Sequence, residues 1–265
     1  MEVEMLDHIG RLVRLAQPPK RIVSLCPSLT ETLYALGLDH HIVGRTRFCI
    51  HPKDSVSHAV RVGGTKEINM ERLKSLSPDL IIAEKEENTK EMVEVLEKEY
   101  PVFVGDVKTV QGGIKMIQDM SQLTATQTRG KTLVEEINRE MNDLPDLNGS
   151  RVLYFIWKDP WMVVGADTYI HDFLQLIKLK NVGAQLEGRY PSSDLKSLQD
   201  LNPAFVWLSS EPYPFKEKHV EELRDIFPDA DISCVDGEMF SWYGSRMKEA
   251  FPYVRELASS LIDKP

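Results

Sequence analysis

The chain reads as an α/β protein of two similar lobes, each with a parallel-type sheet, bridged by a single long helix, with a ligand cleft between them. Three observations predict this. Short β-rich apolar runs alternate with helical stripes in both halves, the pattern of parallel sheets covered on both faces. The stretch from Val110 to Leu144 breaks that alternation, with neither a strand-like run nor a proline. A helix–proline–strand unit then recurs about half a chain later.

Taken in order, Arg21–Cys26 is a buried strand ended by Pro27. Ser28 is placed to cap the next helix, with Glu31 three residues on as in a capping box, and Gly37 stops it. Ile42–Gly44 is a second strand. Asn69 caps a helix through Met70, Leu73 and Leu76, and Pro78–Ala83 is a third strand. A helix covers Asn88 to Lys98, and Val102–Val104 is a fourth strand. Val110, Ile114, Ile117, Met120 and Leu123 then form one helical stripe, and Gly130, Leu133, Ile137, Met141 and Leu144 another. The second stripe predicts a helix over 125–143, about 28 Å long at 1.5 Å per residue, closed by the turn cluster Pro145–Gly149. Arg151–Trp157 resumes the alternation. The predicted organisation is therefore a lobe over 1–122, a bridging helix over 123–145 and a second lobe over 146–265. Leu73–Ile82 has its counterpart from Leu195 to Trp207, Pro203 lying 125 residues after Pro78.

Composition excludes several classes. With 32 Lys plus Arg against 41 Asp plus Glu, the net charge of −9 opposes nucleic-acid binding. No run of eighteen apolar residues is present to span a membrane. The three cysteines, Cys26, Cys49 and Cys234, form no disulfide framework, and the apolar runs around Cys26 and Cys234 predict buried thiols. The opening Met1–His8 lacks a basic region followed by an apolar one, which points to the cytoplasm, or to the periplasm or a membrane-associated form if a leader was removed.

Ligands of parallel sheets gather beyond the carboxyl ends of the strands. Loops there carry Phe48, Cys49 and His51; Gly63–Thr65; Glu84–Asn88; Trp157 and Trp161; Tyr190; Tyr213 and Phe215; and Trp242, Tyr243 and Arg246. So many rings beside stiffening prolines suit a large, flat, partly apolar ligand; the alternative is that each ring anchors its own loop. Thr128–Thr132 is no phosphate loop, since Ala125 stands where the motif needs glycine, and no G-x-S-x-G, H-E-x-x-H or G-x-G-x-x-G occurs. Cys49-x-His51 is the one pair to weigh as metal ligands, although two ligands do not close a site. Glu84–Glu87 reads as a helix N-terminus favoured by the macrodipole, or, lying at a strand's carboxyl end, as a run that could meet a cationic ligand group.

The order and spacing of several pieces resemble the substrate-binding proteins of ABC importers for cobalamin and ferric siderophores. They are Gly10-Arg11, Pro19–Leu25, Pro27–Glu31, Leu36-Gly37-Leu38, Val43-Gly44, Val62-Gly63-Gly64, Asn69–Arg72 and Pro78–Ala83. Looser matches follow at Val163–Gly165, Asn181-Val182 and the second helix–proline–strand unit. The resemblance covers nearly the whole chain. It implies a binding protein without chemistry of its own or an intrinsic cofactor, taking a cobalamin-like corrinoid, a ferric siderophore or haem. Trp157, Trp161, Trp242 and Tyr213 would stack on the ligand, with Phe48 and Tyr190 joining from loops of their own. Lys85 and Arg246 would meet its anionic groups, and His51 would coordinate a metal axially. In that family each lobe docks on the permease through a glutamate; Glu71 matches in the first lobe, but the repeat places Lys196 in the second, against the sign that pairing needs. The alternative is a cytoplasmic metal-handling protein or enzyme on the same scaffold, using Cys49, His51 and nearby carboxylates.

Overall fold

The structure is a computed structural model describing residues 2–262. The chain divides into two compact α/β units. The first comprises the chain up to Val107, Gln111–Arg139 and Trp242–Arg246; the second comprises Lys108–Val110, Glu140–Ser241 and the chain from Met247 onward. The division on the long helix thus falls at Arg139/Glu140, and a short piece late in the chain belongs with the first unit.

The first unit opens on a hairpin, β1 (Val3–Leu6) and β2 (Leu12–Leu15), paired antiparallel. Its turn is set by a tertiary contact: the buried Asp7 carboxylate accepts the N–H groups of Ile9, Arg11 and Val104. The parallel sheet follows, with β3 (Ile22–Ser24), β4 (Ile42–Thr46), β5 (Val60–Gly63), β6 (Leu80–Glu84) and β7 (Val102–Gly105) in the order β5-β4-β3-β6-β7. Sequence reading misses β5, an edge strand whose first two residues are exposed.

Helix α1 (Pro27–Ala35) corrects the expected capping box. Pro27 occupies the first turn and Cys26 stands at the cap with no side-chain hydrogen bond, because proline's fixed φ and missing N–H already suit that position. The Ser28 hydroxyl bonds the Cys26 Sγ instead, and Glu31 pairs with Arg246. Helix α2 (Met70–Ser75) is capped by Asn69 as expected. Helix α3 (Lys90–Leu96) is capped by Thr89. Asn88 stays outside it and ties the end of β6 to its neighbours, accepting the Glu84 N–H and donating to the Leu25 and Thr65 carbonyls. Helices α4 (Val110–Leu123) and α5 (Gln127–Met141) carry the two predicted stripes, except that Leu144 falls beyond the end of α5. Their turn passes through Ala125 at φ 56°, and Gly130 lets α5 approach Ser121 so closely that a Cβ there would lie 2.5 Å from the serine side chain.

In the second unit β8 (Arg151–Trp157), β10 (Lys180–Asn181), β11 (Phe205–Ser209) and β12 (Asp231–Val235) form a parallel sheet in the order β10-β8-β11-β12, with the short β9 (Met162–Val163) antiparallel to β8. The helices are α6 (Tyr169–Leu176), α7 (Leu195–Gln199), α8 (Glu217–Arg224), α9 (Gly237–Ser241) and α10 (Met247–Ile262). Leu153, Phe155, Val206, Leu208, Val220, Leu223 and Phe227 form a core cluster; burying each such side chain contributes about 1.5–3 kcal/mol. Cys234 is a correction: it lies on the edge strand β12 and is exposed, whereas Cys26 is buried as predicted.

The internal repeat is visible in backbone detail. Asn69 and Asp194, 125 residues apart, accept the N–H groups of Arg72 and Ser197. Ser77 and Asn202 close the two helices at φ 44° and 46°, and strands β6 and β11 begin at the same offset.

Candidate functional site

In the first unit the carboxyl end of β4 feeds a loop wrapped around a buried guanidinium. Arg45 is 4% exposed; its Nε donates to the Val56 carbonyl at 2.7 Å, and its Nη1 donates to the carbonyls of Thr46 and Cys49 at 3.1 and 2.9 Å. Its fork geometry suits such a staple. On the loop so fixed, Phe48 and Ile50 are exposed at 46% and 47%, with the Arg47 guanidinium 4.9 Å over the Phe48 ring. Phe48 and Ile50 are thus two apolar side chains that the stapled loop holds facing water. Sequence reading selects Phe48 and passes over Ile50 and Arg45; the staple's partners at Cys49 and Val56 leave no local signal.

Cys49 turns inward. Its Sγ accepts from the Thr30 hydroxyl at 3.0 Å and neighbours that of Thr46 at 3.2 Å, and burial pushes the thiol up, against the opposing pull of those hydrogen bonds and of Arg45. The His51 ring meets Trp242 edge to face at 5.6 Å. Among the described residues no group of three or more His, Cys, Asp or Glu is placed to hold a metal ion. Trp242 is buried, with the Arg246 guanidinium 5.2 Å over its ring. Arg246, 5% exposed, pairs with Glu31 through two contacts of 2.6 and 3.0 Å, and the Ser245 N–H donates to Thr32. The structure thus brings His51, Trp242 and Arg246 into one cluster with Glu31, the Arg246 charge facing a carboxylate.

The end of β6 overturns the reading of Glu84 as part of a helix N-terminus. Glu84 closes the strand and is buried, and its Oε2 accepts the N–H groups of Glu86 and Glu87 at 2.6 and 3.0 Å. Burial pushes its carboxyl up to about 7, with the neighbouring Glu86 and Glu87 charges adding to that and the two N–H bonds opposing it. Glu87 is raised by burial as well, opposed by Lys66 and Thr65. The Cys26 thiol and the Tyr243 phenol feel both carboxylates and are raised, burial being the larger cause for each. Lys85, between these acids in sequence, is exposed and pairs with Asp106. Glu71 is exposed on α2, and Lys196 is exposed at the matching position of α7.

In the second unit the rings predicted at the carboxyl end of β8 form one assembly. Trp157, 39% exposed, meets Tyr213 edge to face at 5.6 Å. Tyr213 lies 4.6 Å from Phe215, and Phe215 stacks on Trp161 at 6.1 Å with planes 9° apart. Trp161 also meets Phe155 in the core at 5.4 Å, so the loop-anchor alternative applies to Trp161, whereas Trp157 faces water. Lys158 lies 5.1 Å over the Trp161 ring and pairs with Glu222. Tyr190 lies under the Arg189 guanidinium at 5.8 Å. Beneath Tyr213 and Phe215 sits His219, which the sequence analysis leaves without a role; the buried stripe His219, Val220, Leu223 and Phe227 is the signal that could have placed it.

The sequence profile of the family described as periplasmic binding protein matches residues 22–225, and the chain belongs to that family. It is 27% identical over 273 residues to a Bacillus subtilis (strain 168) protein named as an uncharacterized ABC transporter substrate-binding lipoprotein, across 96% of this chain and 84% of that one. It is 23% identical over 198 residues to the vitamin B12-binding protein of Vibrio parahaemolyticus, across 73% of this chain and 72% of that one. Among solved structures, the periplasmic catecholate-siderophore binding protein of Vibrio cholerae has a TM-score of 0.80 at 13% identity, covering 98% of this chain and 100% of that chain.

Proposed function

We propose that the chain is the solute receptor of an ABC importer and takes a flat, partly apolar metal chelate, a corrinoid or ferric siderophore, without transforming it. The observation that carries this is the exposed Trp157 ring set edge-on against Tyr213 at the carboxyl end of β8. A π-face held open to water offers stacking area to a planar ligand at small entropic cost. The names of the relatives supply the ligand class. Tyr190 belongs to this proposal as a flanking contact on the second unit, and on the first unit, taken by itself, His51 and the exposed Lys85 are candidate contacts, Lys85 for anionic groups. Trp161, Trp242 and Arg246 serve as supports for the surface.

Docking on a permease rests on Glu71 alone. Its repeat partner Lys196 has the wrong sign for the same arginine-facing role. The reading as a metal-handling protein or enzyme built on Cys49 and His51 draws no support from the Cys49 thiol, which is buried and bonded to threonines.

The test is a titration of the purified chain with cyanocobalamin, haem and a ferric catecholate siderophore, followed by tryptophan fluorescence. Saturable quenching by one of them, largely lost in W157F, is expected. No saturable quenching by any of the three refutes the proposal.

A further inference from the structure

The aromatic assembly of the second unit rests on a histidine. His219, 3% exposed on α8, packs its ring edge to face against both Tyr213 at 5.5 Å and Phe215 at 5.3 Å. Its Nδ1 accepts the Lys216 backbone N–H at 2.9 Å. That acceptor role assigns the proton of the neutral ring to Nε2, and Nε2 faces the Tyr213 hydroxyl at 3.5 Å. Tyr213 in turn sets the edge contact with Trp157. A chain of contacts therefore runs from the Lys216 amide through the imidazole to the one ring of the set that stands in water.

We infer that His219 is the positioning residue of the Trp157–Tyr213 platform, and that protonating its ring loosens the platform and weakens ligand binding. The chemistry is a conflict at Nδ1. A protonated imidazole donates from both nitrogens, so the Lys216 N–H would face a donor and lose its acceptor. The charged groups around the ring are Lys158 from the turn after β8, and Lys218 and Glu222 from α8 itself; burial is the largest cause holding the ring below the ordinary histidine range, with Lys218 and Lys158 adding to it and the Lys216 bond and Glu222 opposing. The neutral form with its fixed tautomer is thus the working form near neutrality, and the switch lies on the acid side.

The inference deepens the receptor reading and rests on it for the ligand, but the platform itself is tested without ligand. The Trp157 contribution to fluorescence and near-ultraviolet circular dichroism is taken as wild type minus W157F, from about pH 8 to about pH 5. A one-proton change with its midpoint below about 6.5, the ordinary histidine value, is expected in wild type. It should be absent in H219N, whose side-chain oxygen replaces Nδ1 as the acceptor for Lys216. Cyanocobalamin should bind wild type several-fold more weakly at the acid end, and H219N equally at both ends. Nitrogen NMR of the His219 ring in the full chain should show the Nε2–H form at pH 8. A flat Trp157 signal in wild type, the same midpoint retained in H219N, or an Nδ1–H ring each overturns the inference. Should H219N not fold, the wild-type titration and the tautomer decide. A Trp157 titration without cyanocobalamin binding supports the positioning role and counts against the corrinoid reading alone.

Discussion

Replacing Glu84 with glutamine should stabilise the protein in mild alkali and leave it unchanged in acid. The carboxyl is 2% exposed, and burial pushes it from the ordinary 4.5 up to about 7. A carboxyl raised in this way holds its proton more tightly in the folded chain than in the unfolded one. Its favourable contribution is therefore whole below about pH 4.5 and is lost as the pH rises through about 7. At about 1.4 kcal/mol per pH unit separating the two values, the loss comes to about 3 kcal/mol. That is a large share of a typical folding free energy of about 5–15 kcal/mol. Glutamine removes the charge and keeps an oxygen where Oε2 accepts the Glu86 and Glu87 N–H groups. Urea unfolding followed by circular dichroism at about pH 4 and about pH 8 measures the difference. E84Q should match wild type within about 0.5 kcal/mol at the acid end and exceed it by about 3 kcal/mol at the alkaline end. Parallel pH profiles for the two proteins, or an E84Q less stable at pH 8, would refute the reasoning.

The close approach of α5 to α4 predicts that Gly130→Ala costs about 1–3 kcal/mol in thermal unfolding through overpacking against Ser121, with Ser121→Gly in the same chain recovering part of it. Asp119, where hydrogen bonds from His8 and Lys115 overcome the upward push of burial and hold the carboxyl below its ordinary value, contributes stability that is present above the ordinary carboxylate range and lost as the pH falls through the depressed value. Asp119→Asn should accordingly be destabilising at neutral pH by urea unfolding, and the gap from wild type should close in strong acid. Trp157→Ala, at an exposed ring, should weaken ligand binding while shifting the unfolding midpoint little. Trp161→Ala, at a ring packed on Phe155 and Phe215, should lower the midpoint as well.

What the sequence makes legible is the periodic part of the chain. The strands from Ile22, Leu80, Val102 and Arg151 are continuous apolar runs, and α4 and α5 carry unbroken stripes, so local composition finds them. The hairpin and β5 escape because what forms them is elsewhere: Asp7 is fixed by the Val104 amide and β5 by pairing with β4. The site divides in the same way. Aromatic crowding after β8 is written in the loops themselves, and Trp157, Trp161 and Tyr213 come together as one assembly. The pairing of Arg246 with Glu31, 215 residues apart, and the burial of Glu84 beside Tyr243 depend on a chain return that no local pattern encodes. Ser28 and Glu31 show the opposite failure, a complete local cap signal overridden by Pro27 on one side and a distant arginine on the other.

The repeat sharpens why Glu84 is the group to perturb. Both copies share a capped helix, a positive-φ residue, a proline and a strand that ends on a buried polar residue, Glu84 in β6 and Ser209 in β11. The two end residues bond differently. Glu84 accepts the N–H groups of Glu86 and Glu87, whereas the Ser209 hydroxyl donates to the Glu211 carbonyl at 2.6 Å and lies 3.5 Å from the Glu211 N–H. Serine has no ionisation to suppress, so this position of the repeat does not need a charge. A carboxylate there adds a pH dependence that the second unit does without. The exposed pair Glu71 and Lys196 differs in the same sense: the backbone repeats, and the charges set upon it do not.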